Sequence, residues 1–243
     1  MPSIAINPRV LLVSLDPSSW FERMAEDLLD KLETAATLEQ AADPDSAIEA
    51  VTEQPLPHAV LVTDGNIIKH RGVYAKLLDY VRGGGTLVFM GCFPGEINPE
   101  DLNDLLREAG LPWEMEGYYR VTVHRNDTEE TAPHTSLLSS YSQKAVFLRN
   151  VDRKDAWYRL GESSRTESLV FAPVELGDKD QTPIAMTRIG EGKFGYVGDI
   201  NGEEGSDRVI LAMCGLRDSE YRRNSTSREP TILATFTYGT ASP

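Results

Sequence analysis

The chain has 243 residues and a formal net charge of -14, because 38 acidic residues outweigh 24 basic ones. With 40% hydrophobic and 26% charged residues, its composition is typical of a globular protein that buries a substantial core. The acidic excess argues against nucleic acid and against anionic membrane surfaces as partners. No apolar run reaches the roughly 18 residues that a membrane-spanning helix needs.

The start of the chain and its cysteines bear on the compartment. The first nine residues lack the basic segment followed by an apolar stretch that marks a secretory signal. Cys92 and Cys214 are the two cysteines, whereas a secreted scaffold normally carries more. We therefore expect a protein of the reducing cytoplasm, and no motif calls for a metal or a cofactor.

Apolar strands and amphipathic helices alternate in the first half of the chain. Strands are predicted at 9–15, 36–41, 58–63 and 86–90, and helices at 20–33, 43–51, 71–82 and 98–110. Continuous apolar runs such as 58–63 are typical of strands buried on both faces. The alternation predicts a mainly parallel sheet with right-handed crossovers and helices on both faces.

The second half of the chain is predicted to add further strands. They are expected at 118–124, 145–148, 168–172, 183–188 and 192–197, the last two as a hairpin. Residues 125–142 are interpreted as a long loop, and a final helix is predicted over 207–216. Residues 217–243 form a polar tail with an apolar patch at 231–238.

Open α/β sheets bind their ligands beyond the carboxyl ends of the strands. Several polar or loop-forming residues directly follow predicted strands, although each would also serve as a helix cap or turn residue. These candidate ligand-binding residues are Asp16, Ser18, Asp64, Gly65, Asn66, Phe93, Asp199 and Asn201. Cys92 follows a strand and a glycine, near a helix N-terminus that could stabilise a thiolate.

The densest acidic cluster lies between Asp199 and Asp207. Its oxygen-bearing side chains alternate as in a loop that binds a hard cation, but its glycine and glutamate positions do not match an EF-hand. We favour the alternative, an acidic turn that caps the final helix.

Three sequence features carry a resemblance to a known family. They are the strand–helix alternation that leads to Gly91-Cys92, the helix–glycine–strand unit 80–89 followed by the helix segment 103–110, and the late segment 192–203. The chain resembles the class I glutamine amidotransferase-like superfamily, and within it the ThuA-like branch. The resemblance implies a flavodoxin-like, amidotransferase-like three-layer sandwich with additional strands in the C-terminal half.

The same resemblance implies a single domain over residues 1–243. Its core would comprise residues 9–113 and 183–216. Residues 114–182 would form an inserted region of strands and loops, and residues 217–243 a C-terminal tail.

The family's catalytic pattern is incomplete in this chain. In the family, a cysteine on the turn after the strand is the nucleophile, and a His-Pro-Glu segment supplies the base and the acid. This chain has Ile-Asn-Gly at 200–202, so that Glu203 keeps its counterpart but the histidine is missing. Pro94 replaces the family's glycine after the cysteine, and the next helix cap comes only at Asn98. Glutamine hydrolysis by the standard mechanism is therefore not expected.

Another histidine could replace the missing base. His70 begins the helix after the 64–66 loop and could face Cys92. His124 and His134 lie in the inserted region and could fold over the mouth of the crevice. His58 precedes a strand, which puts it at the opposite end of the sheet.

Three functions remain open. We favour an amidotransferase-like protein without standard glutaminase activity, which binds a small ligand, carbohydrate-related in the first instance, or a partner subunit. The second is a cysteine-dependent hydrolase or amidase that uses Cys92, a displaced His70 or His134, and an acid such as Glu203. The third is a non-catalytic interaction module whose acidic surface steers it to basic partners. Association as a homodimer is also left open.

Overall fold

The computed structural model describes residues 7–16, 20–168 and 170–216. Its strands are β1 (Arg9–Val13), β2 (Thr37–Ala41), β3 (Ala59–Val62), β4 (Thr86–Phe89), β5 (Glu114–Arg125), β6 (Ser140–Arg149), β7 (Ala156–Leu160), β8 (Ile184–Ile189) and β9 (Gly192–Val197). Its α-helices are α1 (Phe21–Met24), α2 (Glu26–Ala35), α3 (Pro44–Thr52), α4 (Arg71–Arg82), α5 (Phe93–Glu96), α6 (Pro99–Glu108) and α7 (Glu204–Met213). A short 3-10 helix covers Gly65–Lys69.

The described strands join one mixed sheet. Their order is β2-β1-β3-β4-β9-β8-β7-β5-β6. The five strands from β2 to β9 in this order are parallel, and the remaining pairings are antiparallel. The predicted α/β class is confirmed, and so is the hairpin of β8 and β9.

Helices cover both faces of the parallel strands because successive strand residues point to opposite sides. On one face, Val10 and Leu12 belong to the core that includes α1, α2 and α7. On the other face, Leu11 and Val13 belong to the core that includes α3, α4 and α6. The continuous apolar run of β1 thus supplies both cores.

Strand β6, in the antiparallel half of the sheet, hydrogen-bonds to the segment that directly follows β9. The N–H of Val146 donates to the carbonyl of Gly198 at 2.9 Å, and the N–H of Ile200 donates to the carbonyl of Lys144 at 3.1 Å. The segment after β9 is therefore held by β6. This contact brings the second half of the chain to the carboxyl edge of the parallel strands.

Several predicted elements need correction. The helix predicted over 20–33 is interrupted at Ala25, which lies between α1 and α2. The described residues of 168–172 form no strand; Val170 and Phe171 are 81% and 75% exposed, so they contribute no buried sheet face. The long loop predicted at 125–142 ends early because β6 begins at Ser140, and β7 is an unpredicted strand.

Two further observations complete the fold. Within the described ranges, no helix combines the length and the apolar character needed to cross a membrane. The predicted tail at 217–243, with its apolar patch, lies outside the described residues.

Candidate functional site

The carboxyl ends of four neighbouring parallel strands meet at one edge of the sheet. The strands β1, β3, β4 and β9 lie side by side. Asp16, Asp64, Cys92 and Asp199 each follow one of these strands, so the fold places all of them on this edge. Ser18 lies outside the described residues.

Asp64 joins the loop after β1 to the loop after β3. Its carboxylate accepts backbone N–H bonds from Leu15 at 2.6 Å, Asp16 at 3.3 Å and Asn66 at 2.9 Å. Asp64 is 1% exposed, and this burial raises the pKa of its carboxyl although the amide hydrogen bonds oppose the rise. The Asp64 side chain therefore positions two loops from within.

Glu96 joins the same cluster from the end of α5. Its carboxylate accepts a hydrogen bond from the N–H of Gly65 at 2.9 Å. Partial burial raises the pKa of Glu96, and the nearby Asp64 and Asp16 carboxylates raise it further. Gly65 suits this contact, because a Cβ there would lie 3.0 Å from the Cβ of Glu96. Three carboxyl groups thus cluster where the loops after β1, β3 and β4 meet.

Sequence reasoning missed Glu96. The available signal was an acid four residues after Cys92, in a segment that follows a strand of the same sheet edge. The sequence interpretation placed this segment in a loop before the Asn98 cap, whereas α5 begins directly after Cys92. That helix brings Glu96 back to the loop after β3.

Asn66 and Asp16 are the half-buried polar residues beside this cluster. The Asn66 side-chain amide lies 3.5 Å from the carbonyl of Leu15, and its oxygen accepts a hydrogen bond from Lys69 at 2.6 Å. Asp16 is half-buried directly after the buried Leu15. Together with Glu96, these residues place oxygen-bearing side chains beside Asp64 at this sheet edge.

The turn at Cys92 differs from a strained nucleophile turn. The left-handed backbone belongs to Gly91, whose φ is 68°, whereas Cys92 has an ordinary right-handed helical conformation. The N–H of Phe93, next to the thiol residue, donates to the carbonyl of Thr63 at 3.0 Å. Phe93 itself is 1% exposed, with its ring 4.6 Å from that of Phe89, so it lies in the core.

The four histidines occupy separate places. His70 is half-buried and lies between the 3-10 helix that follows β3 and the start of α4. At the other edge, His58 contacts the carbonyl of Cys214 at 2.8 Å. His134 lies against the ring of Trp157 at 5.5 Å, and burial lowers its pKa. His124 is an exposed residue of β5. Of the four, His70 shares the sheet edge with Cys92.

Asp199 organises the turn before α7. Its carboxylate accepts backbone N–H bonds from Asn201 at 2.9 Å and Glu203 at 2.8 Å, and burial raises its pKa. The Glu203 carboxylate pairs with the Arg120 guanidinium at 2.6 Å, while Asn201 is exposed. No group of three His, Cys, Asp or Glu within the described ranges is arranged to hold a metal ion. The Asp199 contacts form a turn before α7, which begins at Glu204 instead of the predicted Asp207, and Glu203 at the N-cap position makes no side-chain cap hydrogen bond.

The two cysteines should differ in reactivity. We expect iodoacetamide to modify Cys92 and to spare Cys214 in the folded protein. Cys214 is 2% exposed, and burial raises the pKa of its thiol to about 12, which leaves almost no reactive thiolate at pH 8. Cys92 is half-buried at the candidate site.

Mass spectrometry after labelling checks this expectation. Folded protein should carry one label, and protein unfolded in urea should carry two. The control is a Cys92→Ser variant, which should remain unlabelled while folded. Labelling of that folded variant would contradict the assignment.

The fold and the polar residues at this sheet edge define a class, an α/β protein whose parallel strands are covered by helices on both faces. A scan of protein-family models gives no match, and neither does a search of curated proteins. Solved structures give three informative similarities. A protein from Bacteroides uniformis described as ThuA-like matches with a TM-score of 0.59 and 12% identity, over 90% of this chain and 95% of that chain.

A second protein described as ThuA-like, from Parabacteroides merdae, has a TM-score of 0.53 and 10% identity, over 86% of this chain and 89% of that chain. A β-galactosidase from Bacillus circulans sp. alkalophilus has a TM-score of 0.55 and 13% identity. The match covers 88% of this chain but 32% of the β-galactosidase, about a third of its length. At these identities the similarity shows the fold alone, and the predicted ThuA-like resemblance is confirmed at that level.

Proposed function

We propose that this protein binds a neutral, hydroxyl-rich small molecule, of the sugar class, at the carboxyl edge of its parallel strands. The supporting observation is the convergence of Asp16, Asp64 and Glu96 where three loops meet. Carboxylate oxygens accept hydrogen bonds from hydroxyl groups, and several carboxylates together repel an anionic ligand. A neutral polyol suits such a site.

The loops at this edge are connected before any ligand arrives. Asp64 holds the amides of Leu15 and Asp16, and Glu96 holds the amide of Gly65. A connected set of loops loses less conformational freedom on binding than independent loops would. This arrangement supports ligand binding at a largely formed site.

The Cys92 turn supports the absence of standard glutaminase activity. In a nucleophile elbow, the N–H after the nucleophile stabilises the oxyanion. Here that N–H belongs to Phe93 and already donates to the carbonyl of Thr63. Glu203, the counterpart of the family's acid, forms an ion pair with Arg120 and not a hydrogen bond with a histidine.

Binding of simple sugars tests the proposal. Because a β-galactosidase contains a region of similar fold, galactose and lactose are the first probes, followed by glucose and its disaccharides. Isothermal titration calorimetry should detect at least one of these sugars. The Asp16→Asn variant should bind it about tenfold more weakly, because a charged acceptor becomes neutral.

Glu53→Gln is the matched control. Glu53 is an exposed carboxylate that follows α3 and precedes β3, away from the carboxyl edge. It removes the same charge and should leave sugar affinity unchanged. The proposal fails when none of the sugars binds at millimolar concentration, or when Asp16→Asn binds as well as the unchanged protein.

A cysteine-dependent hydrolase is the second candidate, because Cys92 and His70 follow neighbouring strands at one edge. The pH dependence of Cys92 alkylation separates the two candidates. An ordinary thiol, with a pKa of about 8.5, loses reactivity below pH 7. Our proposal expects this loss, whereas a thiolate stabilised by a neighbouring imidazolium would keep its reactivity.

A further inference from the structure

A cleft opens at the edge of the sheet opposite the candidate site. It has a volume of about 890 Å³ and lies between the loop 126–130, the turn 153–155 and the β8–β9 hairpin. Lys193 lines the cleft, and its backbone lies opposite Thr86, the first residue of β4, in the parallel pairing of β4 and β9. The cleft is therefore at the amino ends of the parallel strands. At about 3.3 Å per residue, β9 separates Lys193 from Asp199 by roughly 20 Å. The cleft is therefore independent of the carboxyl-edge site.

Hydrogen bonds and an ion pair connect the walls of this cleft. The Asn126 side chain donates to the carbonyls of Arg153 at 2.7 Å and Ala156 at 2.8 Å. The N–H of Met186 donates to the carbonyl of Asp155 at 2.9 Å. Across the cleft, Lys193 pairs with Glu130 at 2.8 Å. The three segments thus form a cleft with connected walls, and its volume is within the range of small-molecule sites.

The acids and bases of the cleft are unequally paired. Among the described residues, Asp127 pairs with Arg125 and Glu130 with Lys193, so that both acids are neutralised. Three further cations line the cleft and take part in none of the ion pairs of the described chain, namely Arg153, Lys154 and Arg188.

Two acids in the wall remain outside ion pairs. They are Glu129, which is exposed, and Asp155, which is half-buried and hydrogen-bonded to Thr187. Burial raises the pKa of Asp155, although its hydrogen bond to Thr187 and the nearby Lys154 oppose the rise. Beside the cleft, His134 is half-buried and its pKa is lowered by burial, so it adds little charge at neutral pH.

We propose that this cleft binds the phosphate group of a phosphorylated small molecule. A guanidinium group donates two parallel hydrogen bonds to phosphate oxygens, and Arg153 and Arg188 supply two such groups from different walls. Met186 provides an apolar surface for the organic part of the ligand. In a chain of net charge -14, three cations outside ion pairs around one cleft favour an anion at this place over the rest of the surface.

Titration calorimetry with glycerol 3-phosphate and with inorganic phosphate tests the proposal. Both probes should bind at low ionic strength, and added salt should weaken them. Arg153→Gln and Arg188→Gln should each weaken glycerol 3-phosphate about tenfold, which is the size expected for a lost charge-assisted hydrogen bond. Unchanged thermal unfolding midpoints would establish that both variants fold.

Two controls make the outcome specific. Arg107→Gln removes an exposed arginine on α6 that does not line the cleft, and it should leave phosphate affinity unchanged. Asp16→Asn should also leave it unchanged, so failure of this proposal is distinguishable from failure of sugar binding at the other edge. The phosphate proposal is overturned when glycerol 3-phosphate does not bind at millimolar concentration, when the cleft variants bind it normally, or when Arg107→Gln weakens it equally.

Discussion

A Gly198→Ala substitution should destabilise the fold by about 3 kcal/mol or more, the upper range for overpacking a closed interior. A Cβ at this position would lie 2.0 Å from the carbonyl oxygen of Val146 and 3.1 Å from that of Pro183. Both atoms belong to backbone that hydrogen-bonds Gly198, with the N–H of Gly198 donating to Pro183 at 2.8 Å. Relief of the clash must therefore break the contact between β6 and the end of β9.

Urea denaturation followed by circular dichroism measures this loss. The matched control is Gly72→Ala, because Gly72 lies in α4 and a Cβ there meets no atom within 4 Å. Alanine in a helix is favoured over glycine, so the control should gain about 0.5 kcal/mol. Equal unfolding midpoints for the two variants would show that the carbonyl of Val146 in β6 does not lie against Gly198 in solution.

An Asp64→Ala substitution should lower the free energy of unfolding by about 3 kcal/mol, because it leaves three backbone N–H groups beneath the candidate site without their hydrogen-bond acceptor. The donors are the amides of Leu15, Asp16 and Asn66, and Leu15 is itself buried. Removal of a buried carboxylate relieves part of its desolvation cost, which limits the loss. The same substitution should also weaken sugar binding, since it disconnects the loop after β1 from the loop after β3.

Asp43→Ala provides the matched control for Asp64. Asp43 also accepts two backbone N–H bonds, from Asp45 and Ser46, but it caps α3 in solvent. Water can solvate the amides that its removal exposes, so its loss should be smaller. A larger loss for Asp43→Ala than for Asp64→Ala would contradict the role we assign to Asp64.

The pH dependence of stability separates these two carboxyls by sign. Burial raises the pKa of folded Asp64 above its ordinary value near 3.8, so the folded state takes up this proton before the unfolded state does. The contribution of Asp64 to stability therefore increases as the pH falls from neutral through the raised pKa of the folded state toward 3.8. Hydrogen bonds from Ser46 lower the pKa of Asp43, whose stabilising contribution is instead lost as the pH falls through its folded pKa.

An Asp64→Asn variant tests this sign. It cannot take up the proton, so its stability deficit relative to the unchanged protein should be larger at pH 5 than at pH 7. Urea denaturation at the two pH values measures the difference. A deficit that shrinks toward pH 5 would show that the folded carboxyl has a lowered pKa.

Several helices are predictable because their signals are local. The helix predicted over 71–82 coincides with α4, and its end at the glycine run is visible in the sequence. The start predicted at Asn98 is a true cap, since the Asn98 side chain accepts the N–H of Asp101 at 2.9 Å. Such signals depend on neighbours within a few residues, which a sequence shows directly.

The candidate site is only partly predictable. Asp16, Asp64 and Cys92 follow from the position of apolar runs, because parallel strands present their carboxyl ends at one edge. The contact of Glu96 with the amide of Gly65 joins residues 31 positions apart. It depends on α5, whose four residues carry too weak a local signal to be recognised.

The sequence by itself determined the α/β class, the parallel half and the sheet edge on which the candidate residues lie, because continuous apolar runs and helix caps are local properties. Only the tertiary structure decided that β7 pairs with β5 and β8, and that β6 closes on Gly198. It also decided which polar residues support loops from within, as Asp64 does, and which face the candidate site. Strand pairing and side-chain burial depend on contacts between distant segments, whose energies appear only when the chain is folded.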